Sequence, residues 1–351
     1  VDEGWGSVKV ETHCTNQIFE TLRAEWNALL TQSVTDTLFL TWEFQATWWR
    51  HFGANNSLYV LTVRADDGEL LGIAPLYVEP DAQLGKALRL IGGIEVADYL
   101  DFIVQRGHET AVYDAFGEVL LAKRDGAWDV LDLRNMPTAS PTREAVAIRA
   151  TQRNLVVTDK VEEVCPIIDL PTTFDAYLES LDKKQRHEVR RKIRKAYNEA
   201  QINWHIVGVE HDWAQALDGF IELQKRSMAD KQTFMTPQME AFFRDLARIV
   251  YDAGWLELSF IAVDGQRAAT YFSFNYMGDT LLYNSGYDPN LFSALSPGIV
   301  LLAQLVEHAI EQKQKHFDFL QGNEVYKYRM GAHDTLVHQV TVGKSSVNSE
   351  Q

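Results

Sequence analysis

The sequence predicts an α/β fold in two domains, and three observations carry that reading. At 351 residues the chain is long enough for two cores. Two Asp-Gly pairs, Asp67-Gly68 and Asp264-Gly265, each separate two apolar runs, which is a hairpin signature. Each hairpin is then followed by the same succession of strand, helix and strand. WDVLDLRN ends it in the first half and HFDFLQGN ends it in the second. YVLTVRADDGELLGIAPLYV and LSFIAVDGQRAATYFSF align, so divergent internal duplication is the economical explanation. The boundary falls near Lys160–Val164, giving domains 1–162 and 163–351.

In order, SVKVETH alternates as a strand and Asn16–Thr31 has a helical apolar period. Thr41–Phe52 is a Trp-rich helix, with Trp42, Trp48 and Trp49 expected to pack on a sheet. The first hairpin follows, then strands ALRLIG and YLDFIV, a helix over Thr110–Lys123, strand Trp128–Asn135 and a helix near Arg143–Arg153. In the second half CPIIDL is a strand, Phe174–Ala200 one helix and Asn203–Val209 a strand. Helices near Asp212–Arg226 and Pro237–Ala253 precede a three-stranded meander. Ser296 is expected to cap a helix whose first residue is Pro297, and HFDFL is the next strand.

Composition narrows the function. Hydrophobic residues make up 46% and aromatics 11%, enough for a folded core. The two cysteines, Cys14 and Cys165, have no metal or redox spacing, which fits a reducing, cytoplasmic setting. No apolar run approaches the ~18 residues that span a bilayer, so no transmembrane segment is expected. The start, VDEGWGSVKVE, lacks the apolar stretch of a signal peptide. A net charge of −16 repels phosphate backbones and argues against general nucleic-acid binding.

Against that acidic background, LDKKQRHEVRRKIRKA packs eight Lys and Arg between Lys183 and Lys195. On a helix its apolar residues form one sector, edged by Lys183, Arg186, Arg190 and Arg194, while Lys184, Arg191 and Lys195 point further round. An arginine row beside a buried face suits phosphate or carboxylate. A solvated face pairing with the excess Asp and Glu, or a clamp between domains, explains the same run.

That basic stretch, with LYNSGYDPNLFSALSPG and FDFLQGNEVYKYRMGA, resembles the GNAT acyltransferase superfamily, in particular the tandem branch that includes CelD-like and FemAB-like transferases. FLTWEFQATWWRHFG, GIAPLY and LRLIGG…VADYLDFIV extend the resemblance over roughly Phe39 to Ala332. It implies two GNAT-like domains, each a mixed, mostly antiparallel sheet flanked by helices. It further implies a splayed strand that opens a cleft for an acyl-thioester, with acetyl-CoA or another acyl-CoA as co-substrate and no metal. The helix at Ser296, Pro297 and Gly298 would then face the donor's pyrophosphate, as a positive helix end does. The chain departs from the family in ALSPGI, with one glycine where the usual loop has two. It also lacks the long helical hairpin that serves charged tRNA in Fem-like relatives.

Candidate site residues follow from both lines. Lys327 matches a lysine that lies by the substrate cleft in Fem-like relatives, with Glu324, Tyr326 and Arg329 beside it, on a segment read as a strand. A surface lysine is the plain alternative. Ser285, Tyr287 and Asp288 end a meander strand; Asp288 or Glu324 would serve as general base, although Asp-Pro-Asn is also ordinary turn chemistry. Arg186 and Arg190 would meet a phosphate of donor or acceptor. Asp98, Tyr99 and Asp101, at the start of YLDFIV, would face the acceptor or merely cap the strand. Asp132 and Asp318 have a structural role in both halves. His333 and His338 show no ligand pattern, so no metal is expected. The reaction implied is acyl transfer to an amine on a small-molecule or glycan-linked acceptor, a cell-envelope or polysaccharide precursor among them, by direct attack. The alternatives are Fem-type aminoacyl or peptidyl transfer and a non-catalytic part in polysaccharide biosynthesis. On this reading Arg190→Ala and Lys327→Ala weaken ligand binding and leave the fold intact.

Overall fold

The computed structural model describes residues 8–122, 128–227 and 233–343. The acidic start, Ser7 of the first strand and Lys123 of the third helix lie outside them. The chain divides into two compact units, residues 1–163 with 336–351, and residues 164–335. The second domain expected from sequence ran to residue 351; most of its last strand belongs instead to the first unit.

In the first unit β1 (Val8–His13), α1 (Gln17–Leu30) and α2 (Trp42–Phe52) lead into β2 (Ser57–Ala65) and β3 (Leu70–Asp81). Then come β4 (Gly85–Leu90), β5 (Ile103–Val104), α3 (Glu109–Ala122), β6 (Val130–Pro137) and α4 (Pro141–Gln152). The helices form where their apolar period allows burial: Trp42, Trp48 and Trp49 are buried core residues, and Thr41 caps α2 through the Phe44 N–H. The expected strand YLDFIV is reduced to the two residues of β5, so Asp98, Tyr99 and Asp101 precede it in irregular chain.

The strand β7 (Val156–Asp169) carries the chain into the second unit, where α5 (Phe174–Ser180), α6 (Lys183–Glu199), β8 (Ile202–Ile206), α7 (Trp213–Ser227) and α8 (Pro237–Asp252) follow. The meander is β9 (Leu256–Val263), β10 (Gln266–Tyr276) and β11 (Asp279–Tyr287). After it come α9 (Pro297–Glu311), β12 (His316–Asp318), α10 (Val325–Arg329) and β13 (His333–Gly343). The β9–β10 turn works because Asp264 (φ 50°) and Gly265 (φ 80°) both take positive φ, which matches the strand twist. The expected single helix over 174–200 is broken. Leu181 is extended, and the Asp182 carboxylate accepts from the Gln185 N–H at 2.9 Å, starting α6 afresh. The sequence carried that signal as Asp-x-x-Gln.

The two units repeat one topology. In the first, β1-β2-β3-β4 is an antiparallel run, β6 joins β4 in parallel after α3, and β13 closes antiparallel to β6. In the second, β8-β9-β10-β11 is the run, β12 joins β11 in parallel after α9, and β7 closes antiparallel to β12. The closing strand of the first unit, β13, comes from the far end of the chain, whereas β7 closes the second unit with Ile167–Asp169, at the start of that unit's own sequence. Alternation along β10 sorts the helices of the second unit: Phe272 packs on Phe220 of α7 and Phe243 of α8, while Tyr271 reaches α9 on the opposite face.

The apolar stretch Ser293–Glu311, 19 residues with a window of mean hydropathy 1.3, is long and apolar enough to cross a membrane by length and composition alone. It contains α9, the core helix of the second unit, with Val300, Leu301, Leu302 and Ala303 fully buried.

Candidate functional site

β11 and β12 share only three rungs, Asp279 to Leu281 against His316 to Asp318, yet β11 runs on to Tyr287. A register shift between Phe272 and Ser273 makes Tyr283 an extra residue of β11 and re-aims the strand just past that ladder. The divergence opens a cleft of 460 Å³ between the end of β11 and the start of α9. Ser285, Tyr287, Asp288 and Tyr326 line it, with Ser296, Pro297 and Gly298 at one wall.

Ser296 is the N-cap of α9 and Pro297 its first residue, as expected, but the cap is made without the serine side chain. Ser296 is left-handed (φ 53°, ψ 51°) and its side chain caps nothing. Its own N–H donates to the Ser293 carbonyl at 3.1 Å, and its carbonyl accepts from Ile299 and Val300. Pro297 has no N–H, so Gly298 holds the donor left over from the first turn. Ser296 adopts the conformation a glycine would take there, so the loop keeps its path with one glycine. Such a residue costs roughly 1–2 kcal/mol of local strain.

Two tyrosines form the floor. The buried Tyr271 hydroxyl donates to the Gly298 carbonyl oxygen. Burial first, then Tyr271 and Glu324, holds the Tyr326 phenol well above its ordinary pKa, and burial does the same for Tyr271. Both stay protonated at neutral pH. Asp288 accepts from the Asn290 N–H at 2.9 Å, an Asx turn, and faces Arg226 at 3.5 Å. It is a turn residue and a cleft residue together.

Lys327 is not in that wall, nor on a strand or the surface. It is buried in α10, and its ammonium donates to the carbonyls of Leu320 (3.2 Å), Gln321 (2.7 Å) and Gly322 (2.9 Å) and lies 2.9 Å from Glu324. Leu320 is left-handed, so the turn after β12 aims three carbonyls at one point and Lys327 satisfies them. In α10 Tyr326 lines the cleft and Lys327 is buried.

Beside the cleft lies a second cavity, 520 Å³, walled by Lys184, Glu188, Arg191 and Lys192 of α6 and by Arg329 of α10. Ile299 and Tyr326 line both cavities. Arg186 and Arg190 are on the other edge of α6. Arg186 bonds the Glu179 carbonyl at 3.4 Å and Arg190 is 4.0 Å from Asp175. Neither lines this cavity, and both edges flank the same buried stripe of Val189 and Ala196.

Residues 183–328 match the family model described as an acetyltransferase (GNAT) domain. The matched stretch lies within the second unit and covers most of it. No curated protein matches the chain. Among solved structures, FemX is 12% identical with a TM-score of 0.63, covering 94% of this chain and 96% of its own. The C-terminal domain (DUF2156) of a putative lysylphosphatidylglycerol synthetase from Agrobacterium fabrum is 10% identical, TM-score 0.57, covering 94% of this chain and 93% of its own. L-PGS from Bacillus licheniformis is 10% identical, TM-score 0.54, covering 92% of each chain. At these identities the fold is what is shared, and it is shared along both units.

The first unit has the GNAT-like strand order but its splay point is filled. β4 leaves β6 after Leu88 and Leu131. The following loop bridges the gap: the Leu100 N–H donates to the Asn135 carbonyl, and the Asn135 amide to the Ala97 carbonyl at 2.6 Å. The cavity beside Leu90, Gly93 and Leu100 measures 10 Å³, and one of 370 Å³ lies by Arg89, Asp132 and Gln339. Asp98, Tyr99 and Asp101 belong to this bridging segment of the first unit. Asp101 is fully buried, accepts from Thr35 at 2.5 Å and from the Phe102 N–H, and has its carboxyl pushed up by burial against the Thr142, Thr35 and Ser140 hydroxyls. Asp132 holds Arg89 and Gln339, and Asp318 accepts from the Leu320 N–H at 2.7 Å. His333 and His338 fall in different units.

Proposed function

We propose that this chain is an N-acyltransferase that moves an acyl group, acetyl in the simplest case, from acyl-CoA to an amine on a small or glycan-linked acceptor. The observation that carries this is the early parting of β11 from β12. It places an open slot beside a helix start with a spare N–H at Gly298. A thioester arm fits such a slot, and its anionic end suits the helix terminus.

In this mechanism the neutral amine attacks the thioester carbonyl carbon. The C–N bond forms, the C–S bond breaks, and the electron pair leaves on sulfur. Asp288, the carboxylate on the cleft wall, takes the amine proton directly or through water. Tyr326, kept protonated by burial, donates a hydrogen bond to the departing thiolate, which takes its proton from solvent. Slot and helix act mainly by positioning and by fixed dipoles. Two free cysteines, Cys14 exposed and Cys165 buried, accord with a cytoplasmic setting.

A second reading, aminoacyl or peptidyl transfer of the Fem type, is supported by the whole-chain fold likeness to FemX. Thermal-shift titration separates the two. CoA at ~100 times its Kd adds about 2.7 kcal/mol, and a saturable shift with CoA but not acetate supports the acyl-CoA reading. No shift at millimolar CoA overturns it.

A further inference from the structure

The chain holds 49 Asp and Glu against 33 Lys and Arg, so a basic side chain has acidic neighbours to spare. Arg64 sits on Glu25, Arg89 on Asp132, Arg143 on Asp159, Arg149 on Asp114 and Arg244 on Asp218. The groove beside α6 departs from this pattern. Lys184, Arg191, Lys192 and Arg329 meet there with one carboxylate, Glu188. Glu188 is held by Arg191 through two hydrogen bonds of 2.8 and 2.7 Å and stands 3.8 Å from Lys192. Lys184 and Arg329 form no ion pair among the described residues. Four cations against one carboxylate leave the groove three charges positive in a chain of net charge −16.

Glu188 does more than neutralise. It engages Arg191 through Nε and Nη2, which fixes the guanidinium plane and leaves the Nη1 hydrogens free for a ligand. The lysines add mobile point charges. The groove also adjoins the acyl cleft, with which it shares the lining residues Ile299 and Tyr326. We propose that this groove binds a phosphate or diphosphate group of one of the two substrates, the donor or the amine acceptor, whose reacting end lies in the neighbouring cleft. The proposal takes the acyl-transfer reading for the occupant of the cleft, while the anion preference rests on the groove's own charge.

The test is calorimetric titration at constant ionic strength with inorganic pyrophosphate, pantetheine and CoA. The proteins are the full chain, its R191Q/R329Q variant and R190Q, which changes the opposite edge of α6. All three positions are exposed, and melting curves check that the variants fold. Pyrophosphate should bind the parent chain and R190Q alike, with ~10-fold or greater loss for each guanidinium removed from the groove. If CoA affinity falls with it while pantetheine affinity holds, the phosphate is the donor's. If CoA affinity is unchanged, it is the acceptor's. Pyrophosphate that does not bind the parent chain, or binds all three proteins equally, overturns the proposal. CoA binding without pyrophosphate binding leaves the acyltransferase reading standing without the groove. Pyrophosphate binding lost in R191Q/R329Q, with no CoA binding, keeps the groove and removes acyl-CoA as donor.

Discussion

The Tyr271 hydroxyl donates to the Gly298 carbonyl oxygen across 3.2 Å, tying β10 to the first turn of α9. A buried phenol so placed sets the depth of the cleft and steadies the helix start at once. Tyr271→Phe keeps the ring and removes the bond. It should lower stability by about 1 kcal/mol, the net worth of one such hydrogen bond, read as a lower urea midpoint with an unchanged slope. An unshifted midpoint would show that the bond contributes nothing.

Lys327 should behave as a structural residue. Its ammonium satisfies three carbonyls of the turn at 320–322 and faces Glu324. Lys327→Met strands those carbonyls in a buried setting, at a cost of ~3 kcal/mol. The expected outcome is a large fall in melting temperature, in contrast to the intact fold that the sequence alone suggested. A variant that melts like the parent chain but no longer binds ligand would return Lys327 to the cleft.

Ser296 occupies a left-handed conformation at the cleft mouth without making a side-chain cap. Ser296→Gly relieves that strain and loosens the unfolded chain, two opposing terms that leave a net gain of about 0.5–1 kcal/mol. Differential scanning calorimetry reads the gain directly. A loss of stability would mean the serine hydroxyl has a partner in solution.

His308 on α9 lies 3.4 Å from Glu257, and this hydrogen bond, against the opposing effect of burial, raises its pKa above 6.5. A histidine whose folded pKa is raised stabilises the fold fully below the unfolded value. That stability is lost as pH rises through the folded value. Melting temperatures should therefore fall over the window above pH 6.5, and His308→Gln should flatten that part of the profile. A parallel profile in the variant would assign the fall to other groups.

The sequence by itself determined the features whose causes are local. Asp264-Gly265 turns because both residues accept positive φ. Pro297 starts α9, and the duplicated order of hairpin, helix and strand follows from periodicity and turn residues a few positions apart. The lone glycine in ALSPGI was visible too, but Ser296 taking the glycine conformation was not. Only the tertiary structure decided which edge of α6 borders the groove, whether VYKYR is strand or helix, and which unit receives β13. Arg190 and Arg191 are equivalent in composition, helix and charge. What separates them is Ile299, Tyr326 and Arg329, distant in sequence, packing along one edge of α6 and not the other. Backbone conformation is settled by neighbours along the chain, whereas the ligand a side chain can meet is settled by what folds against it.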